Sequence, residues 1–173
     1  ADMGELCMVE TTATGIQDKI SSVPQTRANI ATDITDNFST FGYSGASEDA
    51  INTLWFYNEE TTPAGELATN ISWTKARPYG LFYGISPQVT SGNSNLTIFP
   101  ENYQGTPYLN YEVTKNVTAQ KDLMTACSGA VRHEASGILS RVDLNFYHAL
   151  TAVRFKVGKN LSYSKIIKKI ELI

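Results

Sequence analysis

The chain has 173 residues, of which 42% are hydrophobic and 18% charged, a balance typical of a folded domain that buries a substantial core. Its formal net charge of −3 provides no basic surface, so we exclude nucleic acid as a partner. No apolar run approaches the roughly 20 residues of a membrane-spanning helix, and no signal peptide is visible, which predicts a trimmed mature form or a chain that is not exported.

The N-terminal region combines one short apolar run with a long polar stretch. Residues 6–10, LCMVE, are predicted to form a strand, whereas residues 11–37 are polar and nearly free of aromatic side chains. We therefore predict an N-terminal strand and polar linker over residues 1–36, followed by the main domain over residues 37–173.

Short strand candidates recur along the main domain, separated by clusters rich in Gly, Pro, Asn and Ser such as YSGAS and TTPAGE. Helical periodicity is scarce, and ASEDAINTL is the best helix candidate. This succession of short strand candidates and turn-forming clusters predicts an all-β sandwich or barrel. The strand candidates in this part of the chain are residues 37–43, 52–58, 70–74, 81–85, 96–99 and 108–113.

The clearest alternation of apolar and polar residues lies in residues 142–157, VDLNFYHALTAVRFKV. VDLNF and VRFKV each predict a strand with one buried face, and the apolar YHAL between them predicts a bend or crossing point. A last alternating run, KIIKKIELI, predicts another antiparallel strand with one solvated face. Because the chain stops directly after this apolar run, we expect the parent protein to continue.

Several motifs follow one another in a distinctive order between residues 38 and 173. They are FSTFGY, LWFYNEETTPAG, ISW, LFYGISP, TPYLNYEVTKNVTAQKDLMTA, VDLNFYHALTAVRFKV and KIIKKIELI. This order resembles the N-terminal domain of the fimbrillin (Mfa-like) family, whose members are subunits and accessory proteins of type V pili in Gram-negative anaerobes. QKDLMTA and LNFYHALTAVRFKV are the most specific pieces. The core positions that the resemblance assigns are Leu144, Phe146, His148, Leu150, Val153, Phe155 and Val157.

The resemblance implies a transthyretin-like antiparallel β-sandwich of Greek-key type, with about seven to nine short strands. It further implies that residues 37–173 are the N-terminal domain of a longer two-domain protein. Such proteins are exported as lipid-anchored outer-membrane precursors and build fimbriae on the cell surface. The anchor region is expected outside this chain, since ADMGELC does not match a lipoprotein box.

The resemblance also implies assembly by strand exchange. An Arg-specific protease removes an N-terminal strand, and a strand from another pilus subunit adds to the vacated groove. The candidate removable strand contains Leu6, Cys7, Met8 and Val9, and the candidate cleaved bond joins Arg27 to Ala28. A ligand on a host or bacterial surface is a further expected partner.

Catalytic functions find no support in the sequence. His133 and His148 stand apart from other metal-binding residues, His148 is expected to be a packed histidine, and His133 is expected in a loop. No nucleophile elbow or glycine-rich phosphate motif is present, so we predict no enzyme, metal or cofactor. Cys7 and Cys127 allow either a disulfide or two unpaired core thiols.

The aromatic residues suggest an alternative function, a surface glycan-binding module of a nutrient-uptake system. That function requires a solvent-exposed aromatic row, whereas a structural role predicts that about half of the rings face the core. The aromatic residues in question are Trp55, Phe56, Tyr57, Trp73, Tyr79, Phe82, Tyr83, Tyr103, Tyr108 and Tyr111.

Overall fold

The computed structural model describes residues 2–9, 13–14, 33–133 and 140–150. Within these ranges the chain forms strands, two short 3-10 helices, Glu48–Ala50 and Val117–Ala119, and no α-helix. No helix in these ranges has the length and apolar character needed to cross a membrane. The strands are β1 (Asp2–Val9), β2 (Ala13–Thr14), β3 (Phe38–Gly45), β4 (Thr53–Thr61), β5 (Ser72–Thr74), β6 (Tyr79–Ser86), β7 (Leu96–Ile98), β8 (Leu109–Tyr111), β9 (Met124–Arg132), β10 (Ser140–Asp143) and β11 (Phe146–His148).

These strands form two main sheets and a separate hairpin. The large sheet has the order β2-β11-β9-β6-β3-β4, and its neighbours are antiparallel except for β2 and β11. The small sheet has the order β10-β1-β5, and β7 pairs with β8 as an antiparallel hairpin. The predicted all-β sandwich is thus confirmed, with antiparallel pairing dominant.

The inner core lies between the two main sheets. The large sheet contributes Phe38, Phe82 and Phe146, and the small sheet contributes Trp73 and Val142, none of them more than 1% exposed. Phe38 and Phe146 contact edge to face, with ring centroids 5.1 Å apart. Burial of such large side chains stabilises the fold by about 1.5–3 kcal/mol each, so this cluster holds the sheets together.

An outer core covers the opposite face of the large sheet. Phe41 and Ile85 of that sheet pack against Leu96, Phe99 and Leu123, and the β7–β8 hairpin supplies further contacts. Every residue of β3 is therefore buried, including its Ser, Thr and Gly residues. Its buried hydroxyls find partners: Ser39 Oγ accepts from the Val89 amide at 2.8 Å, and Thr40 Oγ1 lies 2.8 Å from Thr61 Oγ1.

The strand predictions for the middle of the chain correspond to β3 to β8, whereas the helix prediction is wrong. ASEDAINTL contains only the 3-10 turn Glu48–Ala50, and β4 begins at Thr53 because the apolar residues after the turn pair with β3. Residues 142–146 also depart from expectation. They do not form one continuous strand, since Leu144 and Asn145 separate β10 from β11, and the crossing between sheets precedes YHAL.

Strand β9 is absent from the sequence predictions because a bulge interrupts its alternation. Leu81 pairs with Ala130 and Tyr83 with Cys127, so Ser128 and Gly129 both lie opposite Phe82. Gly129 has a φ of +70°, and the Phe82 amide donates to Ser128 Oγ at 3.0 Å. The extra residue in the bulge reverses the side of the sheet to which the side chains after it point. Met124 and Ala126 before the bulge and Val131 after it therefore all pack at the inner core.

Candidate functional site

The candidate functional site is the position of β1 in the middle of the small sheet. On one side, Leu6, Cys7, Met8 and Val9 are the Cα partners of Ser140 to Asp143 in a parallel pairing. On the other side, β1 runs antiparallel to β5, with Asp2 opposite Thr74 and Glu5 opposite Ser72 and an irregularity between them. β1 therefore separates two strands that do not contact each other as neighbours in the sheet.

The N-terminal segment crosses from the small sheet to the large sheet together with the segment that contains β10 and β11. β1 pairs in parallel with β10, and β2 pairs in parallel with β11 through Ala13–Phe146 and Thr14–Tyr147. The register offset changes by one residue between the two pairings, so the segments remain aligned across the crossing. Residues 2–9 are thus paired with the small sheet, and residues 13–14 with the large sheet.

The strands that flank β1 contribute buried side chains to the inner core. Val142 of β10 and Trp73 of β5 are each 0% exposed. Arg141 and Asp143 alternate with Val142, form an ion pair at 3.1 Å and point to solvent, with side-chain exposures of 66% and 67%. The alternation makes one face of β10 apolar and the other charged, as expected of an outer sheet of a sandwich.

His133 lies directly after β9, beneath β5. Its ring stacks on Trp73 at 5.2 Å with an interplanar angle of 10°, and its amide donates to the Pro78 carbonyl at 2.7 Å. The side chain is buried, with 4% exposure. The sequence predicts a loop position for His133 but gives no signal for this stacking, which depends on a residue 60 positions away.

The core positions assigned from the motif divide between the two cores. Leu144 and Phe146 are 1% exposed in the inner core, and Leu150 packs against the outer core. His148 Nδ1 lies 2.7 Å from Asp122 Oδ2, and both side chains are largely buried. Val153, Phe155 and Val157 lie outside the described residues, as do Arg27, Ala28 and the predicted strand at residues 165–173.

Cys127 lies in β9 as a free cysteine, which disagrees with a disulfide, and it is exposed, which disagrees with the alternative of a core thiol. Its Cα partner is Tyr83 of β6. Burial, and then the charge of the Cys127 thiolate, raise the pKa of Tyr83. Within the described part of the chain, no group of three or more His, Cys, Asp or Glu side chains is arranged to hold a metal ion.

The aromatic residues do not form an exposed row. Trp73 and Phe82 are fully buried, Phe56 is 8% exposed, and Trp55 packs at the edge of the inner core. Of the ten aromatic residues considered from the sequence, only Tyr103 and Tyr108 are exposed, at 36% and 45%. Seven of the other eight rings pack in or against the two cores, and the described strands carry no continuous exposed row of aromatic side chains.

A comparison with known protein families identifies the family of this chain. The model of the fimbrillin-like family matches residues 26–172. The chain belongs to the fimbrillin-like family. No curated protein and no solved structure matches the chain. In this fimbrillin-like chain the matched region contains β3 to β11, and β1 and β2 precede it.

Family membership defines the general role of the protein. The fimbrillin-like family is a family of structural pilus subunits, so its members assemble with other subunits at the cell surface. The fimbrillin resemblance inferred from the motif order is thereby confirmed.

Proposed function

We propose that this chain is a fimbrial subunit that assembles by strand exchange, in which β1 is removed and a strand of another subunit takes its place. The observation that carries the proposal is the central position of β1 between β5 and β10. Removing an edge strand would leave one unpaired edge, whereas removing β1 leaves two unpaired edges that face the same gap.

The chemistry of that gap favours an incoming strand. The backbone N–H and C=O groups of β5 and β10 that pair with β1 would lose their partners, and unpaired strand edges readily accept another strand. Val142 and Trp73 belong to the strands on either side of the gap and lie in the inner core. An extended donor with alternating apolar residues would restore these hydrogen bonds and place apolar side chains beside this part of the core.

Cleavage of the bond between Arg27 and Ala28 is the proposed trigger. This bond lies between β2 and β3 in the chain, so cleavage separates both strands of the N-terminal segment from the sandwich. Arg132 and Arg141 lie within strands, and Arg77 precedes Pro78 in a turn closed by its amide on the Thr74 carbonyl. These features disfavour proteolysis at the other described arginines.

The proposal extends to the export, processing and adhesive role of the protein, which the family resemblance implies. The precursor is exported with a lipid anchor to the outer membrane and is processed there by an Arg-specific protease. Residues 37–173 act as the N-terminal domain of a two-domain subunit, and the donor strand comes from the C-terminal part of the next subunit. A ligand on a host or bacterial surface gives the fimbria its adhesive role.

Limited digestion with an Arg-specific protease tests the trigger. We expect mass spectrometry to find cleavage confined to Arg27–Ala28, followed by release of residues 1–27 in mild denaturant. The melting temperature of the remaining chain should fall by several degrees, since about 1 kcal/mol shifts a domain of this size by roughly 2–4 °C. Arg27→Lys preserves the charge and should remain intact.

Two results would contradict the proposal. The first is resistance of wild-type Arg27 under conditions that cleave an unfolded control. The second is cleavage that leaves the melting temperature unchanged, because a strand with partners on both sides cannot be lost without cost.

A further inference from the structure

The connection between β7 and β8 is a compact loop that closes on itself at its base. The amide of Phe99 donates to the carbonyl of Tyr108 at 3.1 Å, and the amide of Tyr103 donates to the carbonyl of Pro100 at 2.8 Å. The hydroxyl of Tyr57, in the large sheet, donates to the carbonyl of Phe99. These bonds fix residues 99–108 on the outer face of the sandwich.

Tyr103 and Tyr108 form a rigid corner on this loop. Their rings are 5.1 Å apart at an interplanar angle of 87°, and both pack on Phe99, at 6.2 and 6.4 Å. Phe99 is 2% exposed, so the corner rests on the outer core, while the two tyrosines expose 36% and 45% of their surfaces. The two tyrosine rings, nearly perpendicular to each other, are therefore open to solvent while buried Phe99 holds them in place.

Gly105 allows the loop to approach Tyr103 closely. Its φ of +148° is rarely adopted by other residues, and a Cβ at this position would lie 2.9 Å from the Tyr103 hydroxyl and 3.1 Å from the ring. The backbone at Gly105 thus supports one side of the Tyr103 ring. Tyrosine held in this way offers a large amphipathic surface with little conformational entropy left to lose on binding.

The chemistry around the corner is neutral or slightly acidic. Asn102, Gln104 and Thr106 supply amide and hydroxyl groups, Glu101 carries the loop's one charge, and residues 100–108 contain no Lys or Arg. Burial, then the Glu101 carboxylate, then Tyr108 raise the pKa of Tyr57 beneath the loop. An anionic ligand would meet repulsion here, whereas hydroxyl-rich neutral ligands would find hydrogen-bonding partners.

The size of the corner also restricts its ligand. A stable protein interface buries about 800 Å² on each partner, far more than two half-exposed tyrosines provide. A sugar ring matches this scale, because the C–H groups on one face of a pyranose can lie against the electron-rich face of a tyrosine while its hydroxyls bond to amides.

We propose that the Tyr103–Tyr108 corner is a binding site for a neutral saccharide. The site lies on the outer face of the large sheet, and the small sheet with β1 covers the inner face. Strand exchange at β1 therefore leaves the corner accessible, and saccharide binding there does not depend on how the subunits assemble.

A glycan array probed with the intact chain, followed by calorimetry with a bound oligosaccharide, tests the proposal. We expect binding to neutral oligosaccharides, at least tenfold weaker in Tyr103→Ala and in Tyr108→Ala. Tyr108→Phe retains the ring and should keep most of the affinity. Tyr147→Ala is the matched control, since Tyr147 is 58% exposed on β11 and lies outside the loop, and its affinity should equal that of the wild type.

Three outcomes would overturn the proposal: no neutral saccharide bound by the folded wild-type chain, equal loss of affinity in Tyr147→Ala, or unchanged affinity in both loop variants. Sedimentation of the same variants identifies another occupant of the corner. Self-association that Tyr103→Ala abolishes, without saccharide binding, would assign the corner to a second copy of the chain.

Discussion

Cys7 of β1 and Arg141 of β10 are aligned as Cα partners across the parallel pair that holds the N-terminal strand in the small sheet. Neighbouring strands lie about 4.8 Å apart, a separation within the Cα range that a disulfide bridges. The alignment thus offers a direct means of tying β1 to the sandwich.

We predict that Arg141→Cys, in a Cys127→Ser background, forms a disulfide with Cys7 on oxidation. The bond closes a long loop in the unfolded chain and should stabilise the fold by about 2–4 kcal/mol. After cleavage at Arg27, the N-terminal peptide should stay attached when oxidised and leave when reduced. Loss of the exposed Arg141–Asp143 ion pair should cost little. Cys7→Ser in the same background is the control, and failure to form the bond under mild oxidation would argue against this register.

Gly84 leaves room for Phe146, and we predict that filling this space destabilises the sandwich. A Cβ at Gly84 would lie 2.6 Å from the Phe146 ring, which is 1% exposed in the inner core and cannot move outward. Gly84→Ala should lower the free energy of unfolding by about 1–3 kcal/mol, measured by urea titration. Gly92→Ala is the control, because its nearest contact is 3.8 Å away, and it should change stability by less than about 0.5 kcal/mol. Equal effects would contradict the prediction.

The hydroxyls of Tyr43 and Tyr57 should contribute to stability with opposite signs. Tyr43 Oη is buried without a hydrogen-bond partner among the described residues, whereas Tyr57 donates to the Phe99 carbonyl. Tyr57→Phe should therefore cost about 1 kcal/mol, while Tyr43→Phe should be neutral or stabilising by up to about 1 kcal/mol. Chemical unfolding of the two variants provides the measurement, and a larger loss in Tyr43→Phe than in Tyr57→Phe would refute this assignment.

Alkaline solution should destabilise the fold. Burial, then neighbouring Tyr83 and Tyr57, raise the pKa of Tyr43, and burial also raises that of Tyr83. In the unfolded chain both groups titrate near the ordinary tyrosine pKa of 10.0, so the folded state binds more protons above that pH. Stability is unaffected by these groups below pH 10 and falls above it, by at most about 1.4 kcal/mol per pH unit for each. Tyr83→Phe should reduce the slope of melting temperature against pH, and an unchanged slope would exclude this source.

The succession of short apolar runs and turn-forming clusters was sufficient to predict β3 to β8. It was not sufficient for β9, where the bulge at Ser128 and Gly129 changes the face on which later residues lie. It also gave no sign that β3 is covered on both sides, since the cover comes from Phe99 and Leu96 far along the chain.

The candidate site was only partly predictable for the same reason. The apolar character of residues 6–9 indicates a strand, but its partners, β5 and β10, are set by long-range pairing that no local pattern encodes. The stacking of His133 on Trp73 and the exposed corner of Tyr103 and Tyr108 also depend on which loop covers which face.

The aligned crossing of the N-terminal segment with β10 and β11 has a consequence for the order of folding. Leu6 and Ser140 meet only after more than one hundred intervening residues have been made, so their pairing carries the loop-closure cost of nearly the whole chain. Contacts of such separation form slowly, so we expect β1, although it is made before β10, to dock late. We expect the gap between β5 and β10 to stay open until then, available to the chain's own β1 and to any other extended segment nearby.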